Sequence, residues 1–230
     1  MKSMEQQGGE APREVTAEIL CIGDELLIGQ TINTNAAWIG QELGPAGIRT
    51  VLARVVGDDK GRILDALRST TADIVLITGG LGPTKDDITK HTLCEYFGTR
   101  LVRNAEVEAH VVELFTRMGR EARHVMPADL DQAMLPEDCI PLVNERGTAS
   151  GMWFEREGRV FVSMPGVPYE MRAMMRGNVV ERLRERFRPP VIVHRTVRTT
   201  GMGETQLAQR LEAWENGLAE DRINLAYLPS

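Results

Sequence analysis

Thr78-Gly79-Gly80-Leu81-Gly82-Pro83-Thr84-Lys85-Asp86-Asp87 is the stretch that decides the fold. The apolar run before it, Asp73 to Ile77, reads as a strand buried on both faces, as in a parallel sheet. Ile88 to Phe97 follows with helical spacing and stops at Gly98, a residue suited to the left-handed end of a helix. A glycine-rich turn, one lysine and two adjacent carboxylates thus lie between a strand end and a helix start. In an open parallel sheet that edge is where ligands bind. Glycine lets a phosphate approach the backbone, and helix-start amides attract its charge. Paired aspartates suit a hard divalent cation such as Mg2+. Together they point to a phosphorylated ligand held with a metal.

Two familiar phosphate motifs are excluded. Lys85 stands where the dinucleotide fingerprint needs its third glycine, and no G-x-x-x-x-G-K-[ST] run exists. The plain alternative is a tight turn whose Asp86 and Asp87 favour a helix start through the macrodipole.

Outward from this turn the chain repeats the same order. Ala17 to Ile22 reads as a strand ending at Gly23-Asp24-Glu25, and Asn33 to Leu43 as a helix stopping near Gly44-Pro45. Ile48 to Val56 is a strand ending at Gly57-Asp58-Asp59, and Gly61 to Thr71 has helical spacing. Alternating strands and helices predict a three-layer α/β/α domain with a mainly parallel sheet and right-handed crossovers. Asn104 to Met118 reads as a helix and Pro127 to Met134 as a short helical piece. Ile140 to Val143, Gly151 to Phe154 and Arg159 to Ser163 read as strands, and Pro168 to Phe187 as one long charged helix. Pro189-Pro190 marks a boundary, after which Val191 to Thr199, Glu204 to Trp214 and Ile223 to Leu228 suggest a small β-α-β unit. The expected organisation is a flexible leader over 1–16, a main domain over 17–188, and a small α+β domain over 189–230.

With 230 residues, 42% hydrophobic and 26% charged, the chain has the composition of a soluble globular protein. A net charge of -6 argues against a general nucleic-acid binder, and no apolar run is long enough to cross a bilayer. The polar first residues lack the apolar core of a secretory signal. Cys21, Cys94 and Cys139 are far apart and form no C-x-x-C, which fits a reducing cytoplasm. The four histidines have no zinc-ligand spacing.

Carboxylates recur at the strand ends: Asp24-Glu25, Asp58-Asp59, Asp86-Asp87, and Glu170 on the last long helix. Along one sheet edge they would repel one another unless a cation or a basic ligand group sat among them. Asn33 has the place of an N-cap; Asn35, a mediocre helix former in the first turn, has less structural excuse.

The motifs Gly23-Asp24-Glu25-Leu26-Leu27-Ile28-Gly29-Gln30, Asn33-Thr34-Asn35-Ala36, the turn from Thr78 to Asp87, Gly147-Thr148-Ala149-Ser150-Gly151 and Pro165-Gly166-Val167-Pro168-Tyr169-Glu170-Met171 occur in the order of CinA-type proteins, which the chain resembles from about Ala17 onward. The core also looks like the molybdopterin-binding domains of the molybdenum-cofactor pathway, which share the T-G-G-x-G turn and an aspartate at the position of Asp87. The CinA resemblance implies metal-dependent hydrolysis of ADP-ribose to AMP and ribose 5-phosphate. It also implies that 189–230 is KH-like. Full-length relatives commonly carry a C-terminal nicotinamide mononucleotide deamidase domain; the chain stops at Ser230, and no deamidase activity is expected of it. Arg146 and Ser150 stand where relatives usually have asparagine and proline, and Arg146 would add positive charge to the cleft.

Under this resemblance, Asp24 and Asp87 hold the divalent metal, with Asp58 and Asp86 as second candidates and a monovalent cation as a possible assistant. Lys85 offsets charge on the leaving phosphate, and Asp86 or Glu25 activates water. Thr78 and the amides of Gly79, Gly80 and Gly82 cradle one phosphate, and Asn33 and Asn35 bind ribose or phosphate oxygens. Gly147 and Thr148 hold the second half of the nucleotide diphosphate. Pro165-Gly166, with Glu170 behind it, opens a helix that could take a further anion. Two alternatives stay open: a pterin-phosphate or nucleotide binder of molybdenum-cofactor type, and a non-enzymatic module linked to competence or DNA damage. Met171, Met174 and Met175 are core by spacing, or else part of an interface in a homo-oligomer, a dimer by preference.

Overall fold

The computed structural model describes residues 13–82, 88–117, 127–193, 195–218, 220 and 223–228. The chain divides into two units, Met1–Val193 and His194–Ser230. The main sheet of the first unit has six strands: β1 (Val15–Ile22), β2 (Ile48–Val56), β3 (Ile74–Thr78), β6 (Ile140–Leu142), β7 (Gly151–Arg156) and β8 (Arg159–Met164). Their order across the sheet is β2-β1-β3-β8-β7-β6. The β2, β1, β3 and β8 strands run parallel; β7 and β6 are antiparallel additions at one side. The expected mainly parallel α/β fold is therefore present.

Side-chain alternation explains the three layers. Ala17, Ile19 and Cys21 of β1, Ile74 and Leu76 of β3, and Val160 and Val162 of β8 face one way. That face is covered by α2 (Thr34–Leu43) and by the helix that starts as α7 (Pro168–Met174) and ends as α8 (Val180–Phe187). Leu20, Ile22, Val75, Ile77 and Phe161 face the other way. They are covered by α3 (Lys60–Ser69), α4 (Thr89–Phe97) and α5 (Ala105–Arg117). On that side Phe97 stacks on Phe154 at 4.1 Å between ring centroids and meets Phe161 edge-on at 5.3 Å. Met171, Met174 and Met175 are buried in the first core, so they offer no surface for a partner.

The structure departs from the sequence reading in several places. The first strand opens at Val15, inside the stretch read as leader: Val15 is buried, and Thr16 donates to Asp73 through its amide (2.9 Å) and its hydroxyl (3.0 Å). The long helix is broken by a π turn over Met175–Val179, which carries Gly177. A one-turn helix, α1 (Asp24–Leu27), follows β1. A short helix, α6 (Pro127–Leu130), leads through a 3-10 turn (Asp131–Ala133) into β5 (Met134–Pro136), which pairs antiparallel with β4 (Leu101–Arg103) as a second, small sheet. In the second unit, α9 (Glu204–Leu218) is present and Tyr227 donates to Glu215 at 2.9 Å. The flanking segments expected as strands form none among the described residues. Val191, Val197 and Leu228 stand more than 80% exposed, so the alternation there has no face to bury.

The three cysteines are free thiols. Burial, with the neighbouring Cys94 adding to it, pushes the Cys139 thiol from 9.0 up to about 12. Between those values the unfolded chain releases a proton that the folded chain keeps, so folding stability falls as pH rises from 9 through 12. Going from pH 8 to pH 10 is expected to cost about 1 kcal/mol through this one group. Urea midpoints of the wild type and of Cys139→Ala at the two pH values check it; equal losses in both proteins would show that Cys139 is not responsible.

Candidate functional site

Every parallel strand delivers its carboxyl end to the same edge of the sheet, and a cleft of about 480 Å3 lies there. It is lined from β1 by Ile22 and Gly23, from the β2 end by Asp58, from β3 by Thr78 to Gly82, and from the β8 end by Pro165 to Pro168. Asn33, Thr34 and Asn35 enter from the start of α2, and Thr148, Ala149 and Glu170 close the side nearest β7. Of the residues expected at a site, Glu25, Asn33, Asn35, Asp58, Thr78, Gly79, Gly80, Gly82, Thr148, Pro165, Gly166 and Glu170 are thereby brought together. Lys85, Asp86 and Asp87 lie outside the described residues.

The glycine turn is required by packing before any ligand is considered. Gly79 has φ 107°, and a Cβ there would overlap the carbonyl oxygen of Ile22 in β1. Gly80 has φ 65°, and a Cβ there would overlap the Thr89 hydroxyl. Thr89 in turn donates to the Gly79 carbonyl at 3.2 Å. The Gly79 amide donates to Met164 O at 3.2 Å, continuing the ladder between β3 and β8. That amide is committed to the sheet, which corrects its expected place in a phosphate cradle.

The acidic tips pair through backbone. The Asp24 amide donates to Asp58 Oδ2 (2.9 Å) and the Asp58 amide to Asp24 Oδ1 (3.3 Å), which locks the end of β2 to the start of α1. Asp58 lines the cleft; Asp24 is exposed, and its Oδ1 serves as a loop clamp through this exchange. Among the described residues no three His, Cys, Asp or Glu side chains gather as a metal shell. The divalent-metal expectation rested on Asp24 and Asp87, with Asp58 and Asp86 as second candidates; Asp86 and Asp87 lie outside the described residues, and the described residues alone do not build the shell.

Asn33 is the N-cap of α2: its Oδ1 accepts from the Ala36 amide at 3.1 Å and from the Cys21 thiol at 3.5 Å. Asn35 is 8% exposed, and its Nδ2 donates to Gly166 O at 2.7 Å. Because that carbonyl can only accept, the amide orientation is fixed and Asn35 Oδ1 is the atom left over. It is buried and has no hydrogen-bond partner.

Glu170, also 8% exposed, accepts from Asn144 Nδ2 at 2.7 Å. Gly147 does not line the cleft; its Cα lies against the Glu170 carboxylate, where a Cβ would overlap it. Asn144 organises this turn completely: Nδ2 also donates to Ala149 O (3.0 Å), Oδ1 accepts from the Arg146 amide (3.1 Å), and its carbonyl accepts from His110 Nε2 (2.9 Å). Sequence reasoning missed Asn144, although an asparagine next to the Gly-Thr-Ala turn was the signal. The Glu170 charge, with a hydrogen bond between the two side chains, pushes the Tyr169 phenol up, and Arg146 opposes the shift. Gln132 was missed as well. It lines the cleft and its carbonyl and Oε1 hold the buried Lys90 ammonium at 3.2 and 3.1 Å.

Residues 18–185, which span the three-layer domain and its glycine turn, match the family described as Probable molybdopterin binding domain. The chain belongs to this family and, within it, to the CinA-like proteins. It is 46% identical over 216 residues to a CinA-like protein of Flavobacterium psychrophilum, a match that covers 93% of this chain and 51% of the relative. The chain thus spans about half the length of the curated relatives it matches. It is similar to the crystal structure of CinA from Thermoplasma acidophilum, a protein described as being of unknown function, with TM-score 0.65, 33% identity, and coverage of 72% of this chain and 96% of that one. The molybdopterin biosynthesis enzyme MoaB from Thermus thermophilus shares the fold at TM-score 0.50 and 20% identity, over 77% of this chain and 99% of that one. These matches overturn the expected ADP-ribose pyrophosphatase. The matching family is a molybdopterin binding domain, and the relatives are named as CinA-like rather than as hydrolases. Among the described residues no helix is long and apolar enough to cross a membrane.

Proposed function

We propose that the cleft binds a phosphorylated pterin of the molybdopterin type. The observation that carries this reading is the cleft of ligand size at the carboxyl edge of the sheet, lined by Asn35, Gly80, Gly82 and Thr148. The family match supplies the ligand class. Gly80, Gly82 and Thr148 line the same space, where the glycine turn can receive a phosphate.

Titration with 6-hydroxymethylpterin phosphate, followed by pterin fluorescence, tests the reading. One saturable site is expected, and Thr148→Trp, which fills the cleft, is expected to abolish it while the circular dichroism spectrum stays unchanged. Undiminished binding in folded Thr148→Trp would place the ligand elsewhere.

A further inference from the structure

We infer that the groove between the β7–β8 turn and the carboxyl ends of α3 and α4 is a second binding site, one that takes a phosphate dianion. Arg159 opens β8, and β8 runs parallel to β3, so this groove of about 370 Å3 lies at the amino edge of the sheet, away from the cleft. Arg68 enters it from the last turn of α3, Glu95 and Tyr96 from the last turn of α4, and Arg156 and Arg159 from the two strands.

Two like charges stand face to face in this groove. Arg156 and Arg159 are partners in the antiparallel ladder, next to the Glu157-Gly158 turn. Like charges directly opposite one another destabilise a strand pair. One N–H anchors each guanidinium: Arg156 Nη1 donates to Tyr96 O at 2.7 Å, and Arg159 Nη1 to Thr70 O at 2.8 Å. Those carbonyls stand at the ends of α4 and α3, the negative ends of the helix dipoles, and hold the two cations in place. A guanidinium has five N–H donors, so each arginine keeps others for a ligand. Their side chains are 46% and 31% exposed, which leaves both within a ligand's reach. The Tyr96 ring is taken up by Arg156 at 5.4 Å and by Phe97 and Phe161, so the groove suits a small oxyanion rather than a stacked base.

Glu157 bridges the two arginines loosely. Its carboxylate oxygens lie 3.7 Å from Arg156 Nε and 3.5 Å from Arg159 Nη2, beyond the 2.7–2.9 Å or so of a charge-assisted hydrogen bond. Its backbone is held at φ 53°, in the left-handed region, and its side chain is exposed, so the bridge contributes little in water. The groove's other carboxylate, Glu95, is paired with Lys60, and Arg68 meets Asp65 at 4.0 Å, the limit of an ion pair. The three arginines and Lys60 outnumber Glu95, Glu157 and Asp65 by one positive charge. A phosphate brings nearly two negative charges and oxygens in several directions. It can therefore accept from Arg68, Arg156 and Arg159 together and displace the single carboxylate of Glu157.

Calorimetric titrations with inorganic phosphate and with glycerol 3-phosphate, at low and constant ionic strength, test the inference. They are made on Thr148→Trp, whose cleft is filled, so that phosphate held in the cleft does not contribute. One saturable site is expected there. Adding Arg68→Gln is expected to weaken it about tenfold, the loss of one charge-assisted contact. Adding Glu157→Gln instead, which removes the competing carboxylate, is expected to tighten it about threefold. Tighter binding of the free ion would support the site with inorganic phosphate as its occupant, and tighter binding of the ester would support it with an organic phosphate. No saturable binding in Thr148→Trp, or an affinity that neither added substitution changes, would overturn the inference. Binding by the wild type that disappears in Thr148→Trp would also overturn it, while supporting the reading of the cleft. Should Thr148→Trp or Arg68→Gln not fold, Glu157→Gln in the otherwise native protein decides: tighter phosphate binding supports the groove, and unchanged binding contradicts it.

Discussion

Gly79→Ala is expected to destabilise the first unit by about 3 kcal/mol or more. Two costs add at this position. The backbone stands at φ 107°, a region that L side chains rarely adopt, and the new methyl would overlap the Ile22 carbonyl. Ile22 cannot move aside easily, because it is paired with Val56 in the parallel ladder and its side chain is 2% exposed in the core. Movement of Gly79 itself would break its bond to Met164 O, the last of the ladder between β3 and β8. Gly98 is the control. It has a similar left-handed conformation, φ 73°, at the end of α4, but a Cβ there meets nothing within 4 Å. Gly98→Ala should cost only the conformational penalty, about 1 kcal/mol. Urea unfolding of both variants separates them; equal losses would mean that the approach of β1 to the glycine turn is not what requires glycine.

Arg54→Met is expected to cost about 3–5 kcal/mol at neutral pH. Glu18 is a charged residue inside the sheet, on β1, with its side chain 4% exposed. Arg54, on the neighbouring β2, meets it at 2.5 Å and also donates to the Ser69 hydroxyl at the end of α3 at 3.0 Å. Methionine fills similar space without the charge, so the loss measures a carboxylate buried without its cation rather than a cavity. The double variant Glu18→Leu with Arg54→Met removes both charges and should recover most of the loss, because an apolar pair of similar volume replaces a buried ion pair at little cost. Denaturant midpoints of the single and double variants decide it. A single variant as stable as wild type would show that the pair contributes nothing.

How far the sequence could be read depended on the length of each signal. The strands β1, β2 and β3 were legible because each is rich in apolar and β-branched residues and bounded by turn residues, and β2 was expected with the bounds that it has. Helix α4 was legible from its glycine stop, since Gly98 is left-handed in the structure. The small sheet of β4 and β5 was not, because three residues per strand are too few to show an alternation. Nor was the π turn at Met175–Val179, which keeps the apolar spacing of a helix on either side. The opposite error occurred after Pro190: Val191, Val193 and Val197 fall at strand spacing, but pattern alone does not provide a partner ladder.

The site was legible in its place rather than in its chemistry. Strand-end motifs located the cleft, because topology brings all parallel strand ends to one edge. Roles were harder, since a glycine needed for packing and a glycine needed for a ligand look alike in sequence. Gly79 shows this, with its amide committed to Met164 O. Asp24 shows it for carboxylates, with Oδ1 accepting from the Asp58 amide. Asn144 was passed over for the converse reason: a polar residue in a turn gives no periodic signal, and only tertiary structure shows that it holds Glu170, Ala149 and Arg146 together.

The central claim is that the cleft between Gly80, Asn35 and Glu170 holds a phosphorylated pterin. The most direct measurement is the crystal structure of the protein with 6-hydroxymethylpterin phosphate bound. The account predicts ligand density in that cleft, with the phosphate beside the glycine turn at Gly80 and Gly82. Density confined to the groove lined by Arg68, Arg156 and Arg159, with the cleft left as it is, would contradict it.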